Sequence, residues 1–232
     1  MAIIYNTTMN PGKLDLLAAW LPGQPWYLRT GRDPELAKIG GFRLDDPEGA
    51  VGIEFMLVAD QSGAETAVYQ VPLTYRGQPL DGADSALIGT SEHGVLGLRW
   101  IYDGTHDPVL AAQLVALIQG DAQPQAQSIS GTPDPAVTAQ PVADPALVTS
   151  GPAAAASGPD GTDLQVPTAD ADGAPDGQLM IRILRVLRPG DGTAVAGEAG
   201  QPCLSAPWRL PDGTHARGVL ATARHTRHPA PR

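Results

Sequence analysis

Residues 131–177 contain no lysine, no arginine and no aromatic residue, and this gap constrains the rest of the chain more than any other feature. In their place stand Pro, Ala, Thr and Gly, with the seven acids Asp134, Asp144, Asp160, Asp163, Asp170, Asp172 and Asp176. Like charges repel along such a segment, and runs such as GPAAAASGPDGTD offer little apolar surface against the entropy of ordering. The composition therefore predicts a long disordered acidic linker over 131–177. On either side the chain changes character. Residues 1–130 carry 7 Lys+Arg against 15 Asp+Glu and hold nearly all the aromatics, whereas residues 178–232 carry eight Arg against three acids. Parts of opposite charge suit packing against each other, and about 45 residues of C-terminal strand are too few to fold unaided. The expected organisation is one domain built from 1–130 and 178–222, with 131–177 looped out and 223–232 a disordered tail.

Periodicity fills in the elements. Asn10 as N-cap, Pro11 at the first helical position and Leu14, Leu17, Ala18 and Leu21 on one face predict an amphipathic helix that Pro22-Gly23 stops. A second begins with Asp107 as N-cap and Pro108 at N1, buries Leu110, Leu114, Leu117 and Ile118, and ends at Gly120. Strand alternation runs through Val51, Ile53, Phe55 and Leu57, turns at 60–63, and returns through Tyr69, Val71, Leu73 and Tyr75. Pro72 in the returning strand implies an edge or a bulge. Leu96, Leu98, Trp100 and Tyr102 mark a further strand; so do Leu179, Ile181 and Ile183, and a hairpin folds about Asp212-Gly213. Strands at hairpin spacing with only two helices give an α+β fold with an antiparallel sheet.

Charge and motifs exclude several functions. A formal charge of -10 disfavours nucleic acid and anionic membrane surfaces as partners. A single cysteine, Cys203, rules out an internal disulfide framework. The start MAIIYNTTMNPGK has no basic region or sustained apolar run, and no stretch of about 20 apolar residues exists to span a bilayer, so a cytoplasmic protein is expected. No phosphate loop, dinucleotide fingerprint or nucleophile elbow occurs, and no cofactor or metal is expected. His93 and His106 lie near Glu92, Asp103 and Asp107, but their spacing is not that of metal ligands; turn contacts and a helix cap by Asp107 are the expected roles. Glu54 and Glu92 are the acids that could serve a carboxylate-pair chemistry on α-glucans. Trp26 and Tyr27, between Pro25 and a polar loop, are the candidate ligand or partner surface.

Several segments together are similar to the N-terminal cap of actinobacterial maltokinases. LLAAWLPGQPWY resembles the cap's first helix and aromatic pair, and VGIEFMLVAD with YQVPLTYRGQPL resembles its central hairpin. The most specific segment is LIGTSEHGVLGLRWIYDGTHDPVLAAQLVALI, residues 87–118. The resemblance implies a curved antiparallel sheet with a helix, likened to the cystatin fold, and a structural or regulatory role. The kinase lobes that would follow such a cap are not recognisable: Gln127-Ser128 leads into the acidic segment, and Arg182 stands where a nucleotide-contacting lysine would be. A compact ammonium is not replaced by a guanidinium at such a site. The expected function is thus a non-catalytic, free-standing cap-like module in maltose, glycogen or trehalose metabolism. Its expected partner is a sugar kinase, a glycogen-pathway enzyme or a second copy of the chain. The alternative is an α-glucan-binding module or a cryptic α-glucan-active enzyme.

Overall fold

Burial on both faces of one strand organises the protein. In the computed structural model, which describes residues 8–140, 148–170, 172–190 and 200–227, the segment Gly52–Asp60 has Ile53, Phe55, Leu57 and Ala59 in one core. Its Met56 and Val58 lie in another. In chain order the first half comprises β1 (Met9–Asn10), α1 (Lys13–Trp20), β2 (Leu36–Leu44), β3 (Gly52–Asp60), β4 (Ala67–Arg76), β5 (Leu87–His93), β6 (Gly97–Asp103) and α2 (Pro108–Gln119). The second half holds β7 (Thr138–Ala139), β8 (Val148–Thr149), β9 (Ala154–Gly158), β10 (Gly161–Ala169), β11 (Pro175–Ile183), β12 (Val186–Leu187), β13 (Gln201–Arg209) and β14 (His215–Arg227). Among the described residues every strand pairing is antiparallel, and two short α-helices accompany the sheet, an α+β architecture.

The sheet closes on itself. Its order runs β1-β5-β6-β4-β3-β2-β13-β14-β11-β10-β8, and β12, which continues β11 after a bend at Arg185, pairs back onto β4. A ring of β4, β3, β2, β13, β14 and β11–β12 results, with β6 and β5 branching off β4, and β10 with β8 and β9 branching off β11. The larger core fills the ring. It joins Phe42, Phe55 and Leu57 to Leu110, Leu114 and Ile118 of α2 and to Leu164, Ile181, Leu204 and Leu220 of the C-terminal strands. The smaller core lies under α1, where Leu17, Leu21, Trp26 and Tyr27 cover Met56, Val58, Tyr69, Val71 and Ile101.

The acidic segment is the main correction. Within 131–177 the described residues form β7, β8, β9 and β10 and enter β11. Composition hid a local alternation: Thr162, Leu164, Val166 and Thr168 are buried on one face of β10, with Asp163 and Gln165 between them. Threonine and valine fit a pleated, half-buried surface, so nine residues with this pattern make a strand despite their acidic surroundings. The expected tail is also shortened, since β14 runs to Arg227. Residues 1–7, 141–147 and 228–232, with the expected signal-free start, Asp144 and His228, lie outside the described residues.

Both helices differ from expectation. α1 begins at Lys13 rather than after Asn10, because Asn10 is spent pairing with Glu92 of β5; Gly12 is the N-cap and donates its N–H to Asp15 Oδ2 at 3.1 Å. Leu17 is its one buried residue. α2 has the expected ends: Asp107 accepts from the Val109 N–H at 2.9 Å, and Gly120 takes the left-handed conformation at φ 89 that glycine adopts without strain. Its exposed positions are Pro108 and Ala112, so the helix is apolar nearly all round and sits as a buried plug, not a two-faced surface helix.

Pro72 lies in an inner strand, not an edge. The Gln70 N–H points at Arg185 O of the β12 side, so the position two residues on faces the same way. There β4 changes neighbour, from β12 at Val68–Tyr69 to β6 at Leu73–Arg76, and no ladder bond is lost. Pro167 repeats the device in β10. Its carbonyl accepts from Ser150 N on the side where β9, ending its pairing at Gln165, gives way to β8 at Thr168.

Candidate functional site

The aromatic pair singled out from sequence is not a surface. Trp26 is 2% exposed and Tyr27 is 7%. Trp26 packs against Trp20 and Tyr69, with ring centroids 5.8 and 5.9 Å away, and carries the Arg185 guanidinium over its ring at 5.1 Å. Tyr27 donates its hydroxyl to Asp60 Oδ2 at 2.8 Å, while Tyr69 accepts from the Leu28 N–H; burial pushes the Tyr69 phenol up to about 12. The loop after α1 folds back because these rings need the β3–β4 face. Aromatic residues beside a proline in a polar context read as exposed, and only the depth of that face reverses the reading.

Glu54 heads the first polar centre. It is buried on β3 beneath the first turn of α1, and both lysines of the chain converge on it. Lys13 Nζ lies 2.6 Å from Oε2 and Lys38 Nζ 3.8 Å from Oε1. Tyr75 donates to Oε2 at 2.6 Å, and Gln127 Nε2 to Oε1 at 2.9 Å. Gln127 reaches the carboxylate across Gly41, at φ 127, where a Cβ would collide with Phe55 O and with the Gln127 amide. Burial alone would raise the Glu54 pKa; the Lys13 ammonium, then the Tyr75 hydroxyl and Lys38, outweigh it and hold the carboxylate below its ordinary range. Tyr75, buried beside that charge, is pushed well above the usual phenol value. Three hydrogen bonds, from Lys13, Tyr75 and Gln127, and the Lys38 ammonium 3.8 Å away stabilise the ionised carboxylate and make it a weak acceptor for a further proton.

Two aspartates of the 87–118 segment head the second centre. Asp103, at the end of β6, accepts from Thr105 N–H and hydroxyl and from Arg185 Nη2 at 2.5 Å. Arg185 also reaches Thr162 Oγ1 of β10 through Nε at 2.9 Å and Thr105 Oγ1 at 3.1 Å. One fully buried guanidinium thus ties together the two branches that leave the ring, at the bend where β11 passes into β12. Asp107 caps α2 and takes a bidentate pair from Arg76 at 2.6 and 2.7 Å, which raises the arginine further above its ordinary value. Only the cap was legible in the sequence. The arginines gave no local signal, because Arg76 and Arg185 are 31 and 82 positions from their partners.

The remaining sequence candidates are dispersed. Glu92 is exposed on β5, and Glu54 lies three strands away in the order β3-β4-β6-β5. Three steps of about 4.8 Å alone put them about 14 Å apart, beyond the span of a carboxylate pair in glycoside hydrolysis. His93 Nδ1 accepts from the N–H groups of Val95 and Leu96 at 3.3 and 3.1 Å, the expected turn contact. His106 is exposed, and no group of three or more metal-ligating side chains exists among the described residues. Arg182 forms a bidentate pair with Asp163 at 2.6 and 2.8 Å across β10–β11. His225, expected in the tail, sits in β14 with Nε2 3.1 Å from Thr168 Oγ1.

Among the described residues an apolar surface stays open at the β5–β6 turn. Tyr102 is buried by the loop at 80–87, whose Leu80 N–H donates to its hydroxyl at 2.9 Å. Further along the same face of β6 that cover runs out: Trp100 is half-buried and Leu98 is 40% exposed. Leu96 and Val95, in the β5–β6 turn, are 41% and 59% exposed. Three exposed large hydrophobics within four positions differ from Leu28, Ile129 and Val148, which stand singly in sequence.

The fold and these centres define an α+β module in which, among the described residues, the five buried acids Asp46, Glu54, Asp60, Asp103 and Asp107 are all committed to internal partners. Residues 20–107 match the family model of the maltokinase N-terminal cap domain. The match runs from the last residue of α1 to the cap of α2 and includes the open hairpin tip. Glu54 and Asp103 fall inside it, while Lys13, Gln127 and Arg185, which hold them, fall outside.

Proposed function

We propose that the protein is a non-catalytic, maltokinase-cap-like module that acts by contact with a protein partner in maltose, glycogen or trehalose metabolism. The observation that carries this reading is the open apolar tip of Val95, Leu96 and Leu98 within the segment that matches the cap family. Apolar side chains clustered on a soluble surface gain free energy when a partner covers them. The commitment of the buried acids to internal pairs supports the non-catalytic part. The partner class proposed is a maltokinase-type sugar kinase, because the family whose model residues 20–107 match is named for the cap of that enzyme. Calorimetric titration of the purified protein into the maltokinase of the same organism tests this. Saturable binding that Leu96→Lys abolishes is expected; no heat of binding, together with a monomer in solution, would end the interaction role. Incubation with maltose, glycogen and ATP is expected to yield no product, and turnover would overturn the non-catalytic part. The α-glucan-binding alternative loses its proposed carrier, because Trp26 and Tyr27 face the core.

A further inference from the structure

The open tip carries a charge of one sign. Register sets Glu92 opposite Leu98 and Thr90 opposite Trp100, and directly opposed residues share a face of the sheet. Glu92 and Thr90 are exposed there, beside the exposed Leu98 and the half-buried Trp100. At the other end of the strip Asp81 and Asp84 are exposed on either side of Gly82-Ala83, and Ala83 packs in the small cluster that includes Tyr102 and Trp100. Among the described residues no ion pair engages any of these three carboxylates. The neighbouring cations are spent or turned away. Arg76, opposite Trp100, gives both arms to Asp107. Arg99 alternates to the reverse face of β6 and donates Nη2 to Leu96 O at 2.6 Å.

Charge and geometry together select the occupant. A second copy of the chain would bring the same carboxylates and the same -10 charge to the contact, and like charges across an interface oppose it. Nucleic acid and anionic lipid carry the same unfavourable sign. A basic partner gains on both counts, burying the apolar strip and meeting the acids at its rim. At Trp100 both edges of β6 are already paired, to Arg76 of β4 and Thr90 of β5, so the occupant lies across the face instead of extending the ladder. From Leu96 to Trp100 the strip spans at most about 14 Å, the length of about two to three helical turns. We propose that this strip docks a basic amphipathic helix of a partner protein, with apolar side chains over Leu96, Leu98 and Trp100 and lysines or arginines toward Glu92, Asp81 and Asp84. The inference rests on the reading of the tip as a contact surface and adds the chemistry of what touches it. Anchors at i, i+4 and i+7 of such a helix fall on one side and match the strip.

The test uses the full chain and two synthetic peptides of about 14 residues, or about four helical turns. One has leucine and lysine in amphipathic order; the other has glutamate in place of lysine. Fluorescence anisotropy at low salt is expected to show saturable binding of the leucine–lysine peptide and none of the leucine–glutamate peptide. Amide NMR on the wild-type chain is expected to place the largest shift changes at Glu92, Val95, Leu96 and Leu98. Glu92→Gln is expected to weaken binding about two- to fivefold, the worth of an exposed ion pair. Glu65→Gln, exposed in the β3–β4 turn at the end of β4 away from β6, is expected to leave it unchanged. Equal binding of both peptides, no binding of either, shift changes centred elsewhere, or an equal loss in Glu65→Gln would each overturn the proposal. Sugar-kinase binding that Leu96→Lys abolishes, without binding of the leucine–lysine peptide, would leave the tip a contact surface and remove only its basic partner.

Discussion

Replacing Arg185 by methionine removes the one side chain that spans the two branches of the sheet. The wild-type guanidinium makes bonds of 2.5 Å to Asp103, 2.9 Å to Thr162 and 3.1 Å to Thr105, all in a wholly buried position. Methionine fills similar volume, so the cavity term is small and the electrostatic term dominates. Asp103, 3% exposed, is left with only the Thr105 donors. Breaking a buried pair by removing one partner costs about 3–5 kcal/mol, because an uncompensated charge stays inside. For a chain of this size each kcal/mol lowers the melting temperature by about 2–4 °C, so the expected fall is about 6–20 °C. Scanning calorimetry with urea unfolding measures both quantities. A double variant, Arg185→Met with Asp103→Asn, separates charge from packing, because an asparagine oxygen still accepts from the Thr105 N–H while the stranded charge is gone. The double variant is expected to be more stable than Arg185→Met alone. A single-variant loss below about 1 kcal/mol, or a double variant less stable than the single, would refute the view that this ion pair secures the branch.

Three further outcomes are expected. Glu54 and Asp60 both have folded pKa values held below their ordinary 4.5 and 3.8, so each adds stability that is present above those values and lost as pH falls through the folded ones. Melting temperature should therefore fall below about pH 4.5, and less steeply in Glu54→Gln; equal slopes would remove Glu54 from the account. Cys203, buried and pushed up to about 12, should react with aromatic disulfide reagents only as fast as the protein opens; labelling at full speed without denaturant would contradict its burial. Leu96→Lys and Leu98→Thr should change stability by no more than about 0.5 kcal/mol, as exposed substitutions do; a larger loss in calorimetry would mean that the tip belongs to the core.

Local rules reached the elements whose determinants are local. The cap at Asp107, the stop at Gly120, the β3–β4 alternation and the turn at Asp212-Gly213 are all set within a few residues, and they stand where expected. The unexpected features depend on distant chain. β2 was not apparent, since Gly40 and Gly41 interrupt its alternation; both positions are needed for close approach, to Trp208 and to Phe55 and Gln127. β9, with Ala154 to Ser157, has no strand signal of its own and exists because β10 offers a ladder. Trp26 and Tyr27 read as exposed because the face that buries them belongs to β4, more than 40 positions on. The Glu54 centre was the least legible. A lysine near the start of a helix, a tyrosine on a strand and a glutamine after a helix are each ordinary alone, and only the closed sheet brings them to one carboxylate.

A ribosome releases β4 long before β12. Val68 and Leu187 are partners in the finished ring, yet about 120 residues separate them, which is roughly 6–24 s of synthesis at about 5–20 residues per second. During that wait the outer edges of β2 and β4 carry unpaired main-chain groups, and Ile53, Phe55 and Leu57 lack the C-terminal strands that will cover them. Exposed ladder edges are where growing chains capture one another. The pace of translation through 131–177, the stretch that must pass before the closing strands emerge, therefore sets how long each nascent chain is open to its neighbours. Slowing synonymous codons there should lower soluble yield without altering the finished protein.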